Sequence, residues 1–545
     1  MRNKFDNSNK VTLVEKITRE LVAVKSINGT NGEIQVVKKV EEILRDFPVF
    51  KKHPEWVWTQ KLPNDPLGRQ NVFAFLPKSQ TNKTVIYHSH LDTVGVKDFG
   101  ALEPHALNSE KLTEYFKNYT EDADVKKDAE SGDWLFGRGA LDMKSGDAVN
   151  LSNLYYFSQH PEEQTGNLVF MGNCVEENDH SGVIAALSEL QRLKDENYLD
   201  YQVAINTDFI SPKFSGDKQK YIYYGAAGKV LTCFYIKGIE THVGNTYAGL
   251  DSTLIASHIN VLLNNNPDFI EKIAGEEILP SSCLMLRDQK DFYNVQTAKK
   301  TYMYFNTFTY ARPVADILFQ IKNAVKQECD ILNTQAKRRY ANFLEQLHFP
   351  EHKEEQKLKV FTFAEYIEYL KTKGLDTRTL MQDFYKEHQN LDKREAGFEL
   401  IDWLDTQVND GIAKVILFVA PPFCPHNSVE KTSHVYTKLQ AVLDSAKNDE
   451  RFVMKQFFPY LSDSSYLKVD ESEKELELMQ ANFPLANELY PLPYDKMREL
   501  NIPAVDIGVY GKGAHTWKER VYKPYSYEVL PPIIREYTKK MWKEE

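Results

Sequence analysis

Short apolar runs that each lead into a carboxylate or a histidine constrain this chain more than any other feature. Leu168–Met171 runs into the pair Glu176 and Glu177, and Val85–Tyr87 runs into His88, His90 and Asp92. The segment YQVAINTDF ends at Asp208, and AVDIGVYGKGAH brings His515 after another apolar run. In WLFGRGALDMKSG, a Gly-Arg-Gly turn delivers Asp142 just ahead of a helix-like stretch. Such runs read as buried strands. In open α/β sheets, ligands gather at the carboxyl ends of strands, so all five segments point toward one site.

The spacing between these runs supports that sheet. A helical pattern covers 11–47, with Leu13, Ile17, Leu21 and Val22 on one face and Val36, Val37, Val40, Ile43 and Leu44 on a later one. Strands VFAFLP, TVIYHSH, NLVFMGN and YQVAINTD then alternate with helices after Asp142 and over 182–193. This alternation predicts an α/β fold with a doubly wound, mainly parallel sheet. Glycines in YYGAAGK mark a break. Beyond them, KVLTCFYIKGI, a helix over 250–263, CLMLRDQKDF, TYMYFNTFTYAR, a helix from Val314 and KVILFVAPPF follow the β-α-β-β-α-β order of a split βαβ unit. Lys, Glu, Tyr and Leu dominate an insertion at about 337–410, expected to be helical. The expected organisation is a discontinuous catalytic domain at 1–228 and 425–545, interrupted by a ferredoxin-like α+β domain at 229–424.

Composition narrows the class. A chain of 545 residues exceeds one typical core, and its 42% hydrophobic and 27% charged content is that of a globular protein. A net charge of -11 argues against a nucleic-acid surface. The sequence has no run near the roughly 20 apolar residues that span a bilayer, so no membrane partner is expected. The beginning of the sequence lacks the apolar stretch of a secretory signal. Its five cysteines form no CxxC pair, which fits reduced thiols in the cytoplasm.

The candidate ligands are His, Asp and Glu without Cys, a set suited to catalytic zinc, or to manganese or cobalt. His90, Asp142, Glu177, Asp208 and His515 supply five donors, the number two metals sharing one carboxylate would need. Glu176 and Asp92 remain for supporting roles.

HSHLDTVG, FGRGALDMKSG, VEEN, NTDF and GAHTWKERV together resemble the ordered motifs of a zinc metallopeptidase family. It comprises the aminoacylases, acetylornithine deacetylase, succinyl-diaminopimelate desuccinylase, glutamate carboxypeptidase and the carnosinase-like dipeptidases. The length, the insertion and the phrase APPFCPHNS resemble a bacterial arginine-utilisation branch of it. The resemblance implies that His90 and Asp208 bind one metal, Glu177 and His515 the other, and that Asp142 bridges them. It implies that Asp92 fixes the His90 tautomer through a hydrogen bond. Glu176 would act as general base. His242 would contact the oxyanion from a lid domain, and Arg312 would hold the substrate carboxylate. Lid-mediated homodimers also occur in such a family.

Plainer readings compete with each assignment. Asp142 could cap the following helix, Asp208 could simply end a strand, and Asp463 in LSDSSYL reads as a cap. His88 reads as a packed residue, and His105 and His180 as surface. Gly137 and Gly139 are not read as a phosphate loop. The expected function is a metal-dependent amidohydrolase cleaving an N-acyl amino acid or short peptide. A dipeptidase or aminopeptidase of the same fold is the nearest alternative. A metal-binding protein without turnover is the remote one, disfavoured by Glu176.

Overall fold

The computed structural model describes residues 12–543 except 277, 351–357, 447–449 and 461. Val11 and residues 351–357 of the expected insertion therefore lie outside the described residues. The chain forms two compact units, one of residues 1–227, 426–470 and 493–545, the other of 228–425 and 471–492. The segment 471–492, which nothing in the sequence separates from its flanks, groups with the second unit.

The first unit is built on an eight-stranded sheet. Its strands run in the spatial order Val57–Lys61, Gln70–Leu76, Asn167–Asn173, Lys83–His90, Asp200–Asn206, Ala504–Asp506, Gln219–Tyr223 and Arg451–Lys455. The central four are mutually parallel, and antiparallel pairings appear only toward the margins. Central strands carry the buried residues Val85, Ile86, Tyr87, Leu168, Val169, Phe170, Val203, Ala204 and Ile205. Burial on both faces follows from helices such as Lys144–Gln159, Ser181–Asn197 and Leu530–Trp542. The doubly wound sheet expected from the sequence is the one observed. A separate four-stranded sheet joins Trp134–Phe136, Arg520–Tyr522, Val509–Lys512 and Phe209–Ile210.

In the second unit, strands Ser282–Asp288, Lys300–Thr309, Gly228–Lys237 and Lys414–Cys424 lie side by side in antiparallel pairs. Helices Ser252–Leu263 and Val314–Gln346 complete a ferredoxin-like α+β unit. The insertion is not helical throughout. Besides helices Phe363–Thr372, Thr377–Glu387 and Lys393–Val408 it supplies a strand, Lys359–Thr362, that pairs in parallel with 414–417. That short run, KVFT, pairs the backbone groups that would otherwise be left at the edge of the strand over 414–417.

Candidate metal centre

The parallel strands put the motif residues at one level. His90 pairs with Asn173, and His88 with Asn206, so three strands end together. From the first end comes His90, which is buried. Its Nε2 lies 3.1 Å from Asp142 Oδ1, while His515 Nε2 lies 3.0 Å from Asp142 Oδ2. One carboxylate thus stands between two imidazoles, an oxygen for each. The side chain of Asp142 does not cap the helix Lys144–Gln159, which has no side-chain cap. Instead the Glu519 carboxylate accepts the Leu141 and Asp142 backbone N–H groups at 3.0 and 3.2 Å, and Arg138 holds Glu519 at 2.7 Å. Gly139 allows the approach to this turn, since a Cβ there would lie 2.7 Å from Thr93 at a φ of +76°.

The second strand end carries the two glutamates on a tight loop. Val175 and His180 both adopt left-handed backbone, with φ of 67° and 57°, and the His180 N–H donates to the Val175 carbonyl at 3.0 Å. A β-branched residue in that region is strained, and such strain gathers at functional sites. Asp92 clamps the loop from below: its Oδ1 accepts the Glu176 N–H at 3.0 Å and its Oδ2 the Glu177 N–H at 3.1 Å. Gly182 permits the following helix to start against the strand end, where a Cβ would meet the Cys174 carbonyl oxygen at 1.9 Å. Glu177 Oε1 lies 3.0 Å from His515 Nε2, and Glu176 Oε2 lies 4.0 Å from His90 Nε2.

Asp142, Glu176, Glu177, Asp208 and His515 line one cavity of about 390 Å³, together with Phe209, Ser211 and Tyr460. One donor atom each from His90, Asp142 and Glu177 falls within a 4.8 Å cluster. Asp208 faces the cavity, and its Oδ1 also accepts the Phe209 N–H at 2.7 Å. His90 Nδ1 stands 3.6 Å from Asp92 Oδ1, an electrostatic contact longer than the hydrogen bond expected there. His242 and Arg312 belong to the second unit; His242 is exposed and caps a turn through the Gly244 N–H, and Arg312 donates to Gln320 at 2.7 Å.

The electrostatics are those of acids and imidazoles buried side by side, with Asp142 held below its ordinary range by His515 and His90 against the effect of burial. Burial lowers His90, but Glu176, Asp142 and Asp92 outweigh it and raise its pKa well above the ordinary value. His515 is likewise raised, to about 11, by its hydrogen bonds to Asp142 and Glu177 against the effect of burial. Burial pushes the carboxyls of Glu176, Glu177 and Asp208 upward. A bound cation would require its ligands in this cluster to be deprotonated.

One histidine departs from the surface reading. His105 is exposed as expected, but His180 is buried, because Asp463 reaches it across the fold at 2.8 Å. Asp463 does not cap the turn that it begins; Ser462 does. His88 is packed as expected, with Asn173 at 3.2 Å from Nε2 and Ser464 at 3.3 Å from Nδ1. The supporting acid Glu519 lies within the motif GAHTWKERV, though no role followed from that.

Comparison with known proteins agrees with this architecture. A profile of Peptidase family M28 matches residues 71–253. Among solved structures, an M20 family metallo-carboxypeptidase from Sulfolobus solfataricus superposes with a TM-score of 0.52 at 11% identity, covering 97% of this chain and 99% of that one. A tripeptidase from Staphylococcus aureus gives 0.51 at 14% identity, covering 97% and 98%. Likeness at these identities establishes the fold. The uncharacterized protein YqjN of Bacillus subtilis (strain 168) is 32% identical over 94% of this chain and 93% of its own length. Protein RocB of the same organism is 43% identical over 98% of this chain and 96% of its own. With that identity along nearly its whole length, the chain belongs to the same family as RocB.

Proposed function

We propose that this protein is a metal-dependent amidohydrolase that releases an amine and a carboxylate from an N-acyl amino acid or short peptide. The observation that carries the reading is the convergence of Asp142, Glu177, Asp208 and His515 with Glu176 around one cavity, with His90 beside Asp142 at 3.1 Å. The donor set fits hard or borderline divalent cations: imidazole nitrogens and carboxylate oxygens, no thiolate, and one carboxylate already shared between two histidines. We assign His90 and Asp208 to one cation, Glu177 and His515 to a second, and Asp142 to both, with zinc first and manganese or cobalt as alternatives. When bound, such a pair lowers the pKa of water and polarises the scissile carbonyl.

The protein's own residues supply the rest. Glu176 accepts the proton of the attacking water at the oxygen facing His90 and returns it to the leaving nitrogen. Its burial, which raises its pKa, suits a group that must hold that proton between the two steps. Asp92 holds the Glu176–Glu177 backbone in register. His242 and Arg312 are assigned to the oxyanion and the substrate carboxylate on the strength of the resemblance. The arginine-utilisation branch makes an arginine-related amide the first substrate to try. A dipeptidase would need recognition of a free substrate amine.

Replacing Glu176 tests the reading. Glu176→Ala should lower hydrolysis of an N-acyl amino acid or dipeptide by about 100- to 10,000-fold. Metal content, measured by elemental analysis, should be unchanged; its loss would make Glu176 a ligand instead of a base.

A further inference from the structure

Glu176 has its two carboxylate oxygens divided between two histidines. Oε2 lies 4.0 Å from His90 Nε2, on the side of the metal ligands, and Oε1 lies 3.9 Å from His180 Nδ1. His180 is itself fixed. Its Nδ1–H donates to Asp463 Oδ1 at 2.8 Å, and its ring packs 5.2 Å from that of Tyr466. Asp463 Oδ2 in turn accepts from Asn173 at 3.0 Å, the last residue of the strand that leads into the glutamate loop. His180 is buried and its backbone is left-handed.

We propose that His180, held by Asp463, is a positioning residue that keeps the Glu176 carboxylate turned toward the metal ligands. This inference rests on the amidohydrolase reading of Glu176. A glutamate side chain has three rotatable bonds, and leaving it mobile costs the reaction both orientation and entropy. An imidazole edge at one oxygen favours the rotamer that leaves the other oxygen beside His90. Asn173, Asp463 and Tyr466 keep that edge in place.

The test uses two zinc-loaded variants chosen for the backbone at 180. Gly and Asn both tolerate a positive φ, so neither His180→Gly nor His180→Asn adds strain. The Gly variant deletes the ring, and the Asn variant keeps an N–H donor at the δ position. With an N-acyl amino acid as probe, kcat should fall about 10- to 100-fold in the Gly variant at unchanged KM and zinc content. The Asn variant should recover most of it. Crystal structures of the same proteins should show the Glu176 carboxylate turned away in the Gly variant and in place in the Asn variant. Wild-type kcat in the Gly variant, an unmoved Glu176, or a zinc ion seated among Glu176, His180 and Asp463 would overturn the proposal. If the unaltered protein hydrolyses no probe, the amidohydrolase reading fails, and the position of Glu176 in the two crystal structures still decides this one.

Discussion

Asp92 shows how one buried carboxylate sets the geometry of others. With both oxygens engaged by the Glu176 and Glu177 amides, it fixes where those two side chains begin. Behind it, Asn28 donates to Asp92 Oδ2 at 2.9 Å, and Glu33 accepts from the Gly29 N–H at 2.7 Å and from Arg69 at 3.0 Å. Burial, helped by Asp92 and opposed by Arg69, pushes Glu33 from its ordinary 4.5 up to about 7. The folded state therefore binds more protons than the unfolded state between those values, so Glu33 makes stability fall as pH rises through that window. Glu33→Gln removes this slope. Urea midpoints measured from pH 4.5 to 7.5 should show the variant gaining on the parent protein as pH rises, and a pH-independent difference would contradict the assignment. At this scale the sequence was legible where chemistry sits in a contiguous motif, as in HSHLD and VEEN. It was not legible for His180, whose burial depends on Asp463, a residue 283 positions away.

Elements were legible in proportion to their periodicity. The strand NLVFMGN and the helix beginning at Val314 have long, unmixed patterns and lie where those patterns put them. Gln219–Tyr223 and Arg451–Lys455 mix polar and apolar residues over five positions, and Lys359–Thr362 over four, too few to separate a strand from its surroundings. The last of these is secured by charge as well as by pairing. Lys414, fully buried in the neighbouring strand, donates to Asp405 at 2.6 Å and to Asp410 at 2.9 and 3.0 Å. Tyr366 and Tyr369 of the inserted helix donate to the same two carboxylates at 3.0 and 2.7 Å. Removing one partner from a buried ionic network leaves charge uncompensated, so Lys414→Met should destabilise the second unit by about 3–5 kcal/mol. Fluorescence of Trp403, in the helix Lys393–Val408, reports that transition; an unshifted midpoint would show that the network contributes nothing net.

For the molecule as a whole, one chain supplies two units, and the second interrupts the first twice in sequence. This explains why the side chains lining a single cavity come from positions as far apart as Asp142 and His515. Their order along the chain reflects the winding of the parallel sheet, and the level strand ends of Lys83–His90, Asn167–Asn173 and Asp200–Asn206 turn that order into proximity. The fold and the metal-ligand candidates were therefore open to sequence reading, because both follow from strand ends. Cavity-lining side chains such as Phe209 and Tyr460 were not, because they have no motif of their own. The central claim is metal-dependent amide hydrolysis. Its most direct test is elemental analysis of the purified protein, paired with hydrolysis of an N-acyl amino acid and dipeptide panel before and after chelation and with zinc, manganese or cobalt restored. The account predicts about two divalent ions per chain, the number a shared-carboxylate site holds, and amine release that disappears on chelation and returns with metal. Chains that take up no metal under replete conditions, or that hydrolyse the panel equally well without it, would contradict it.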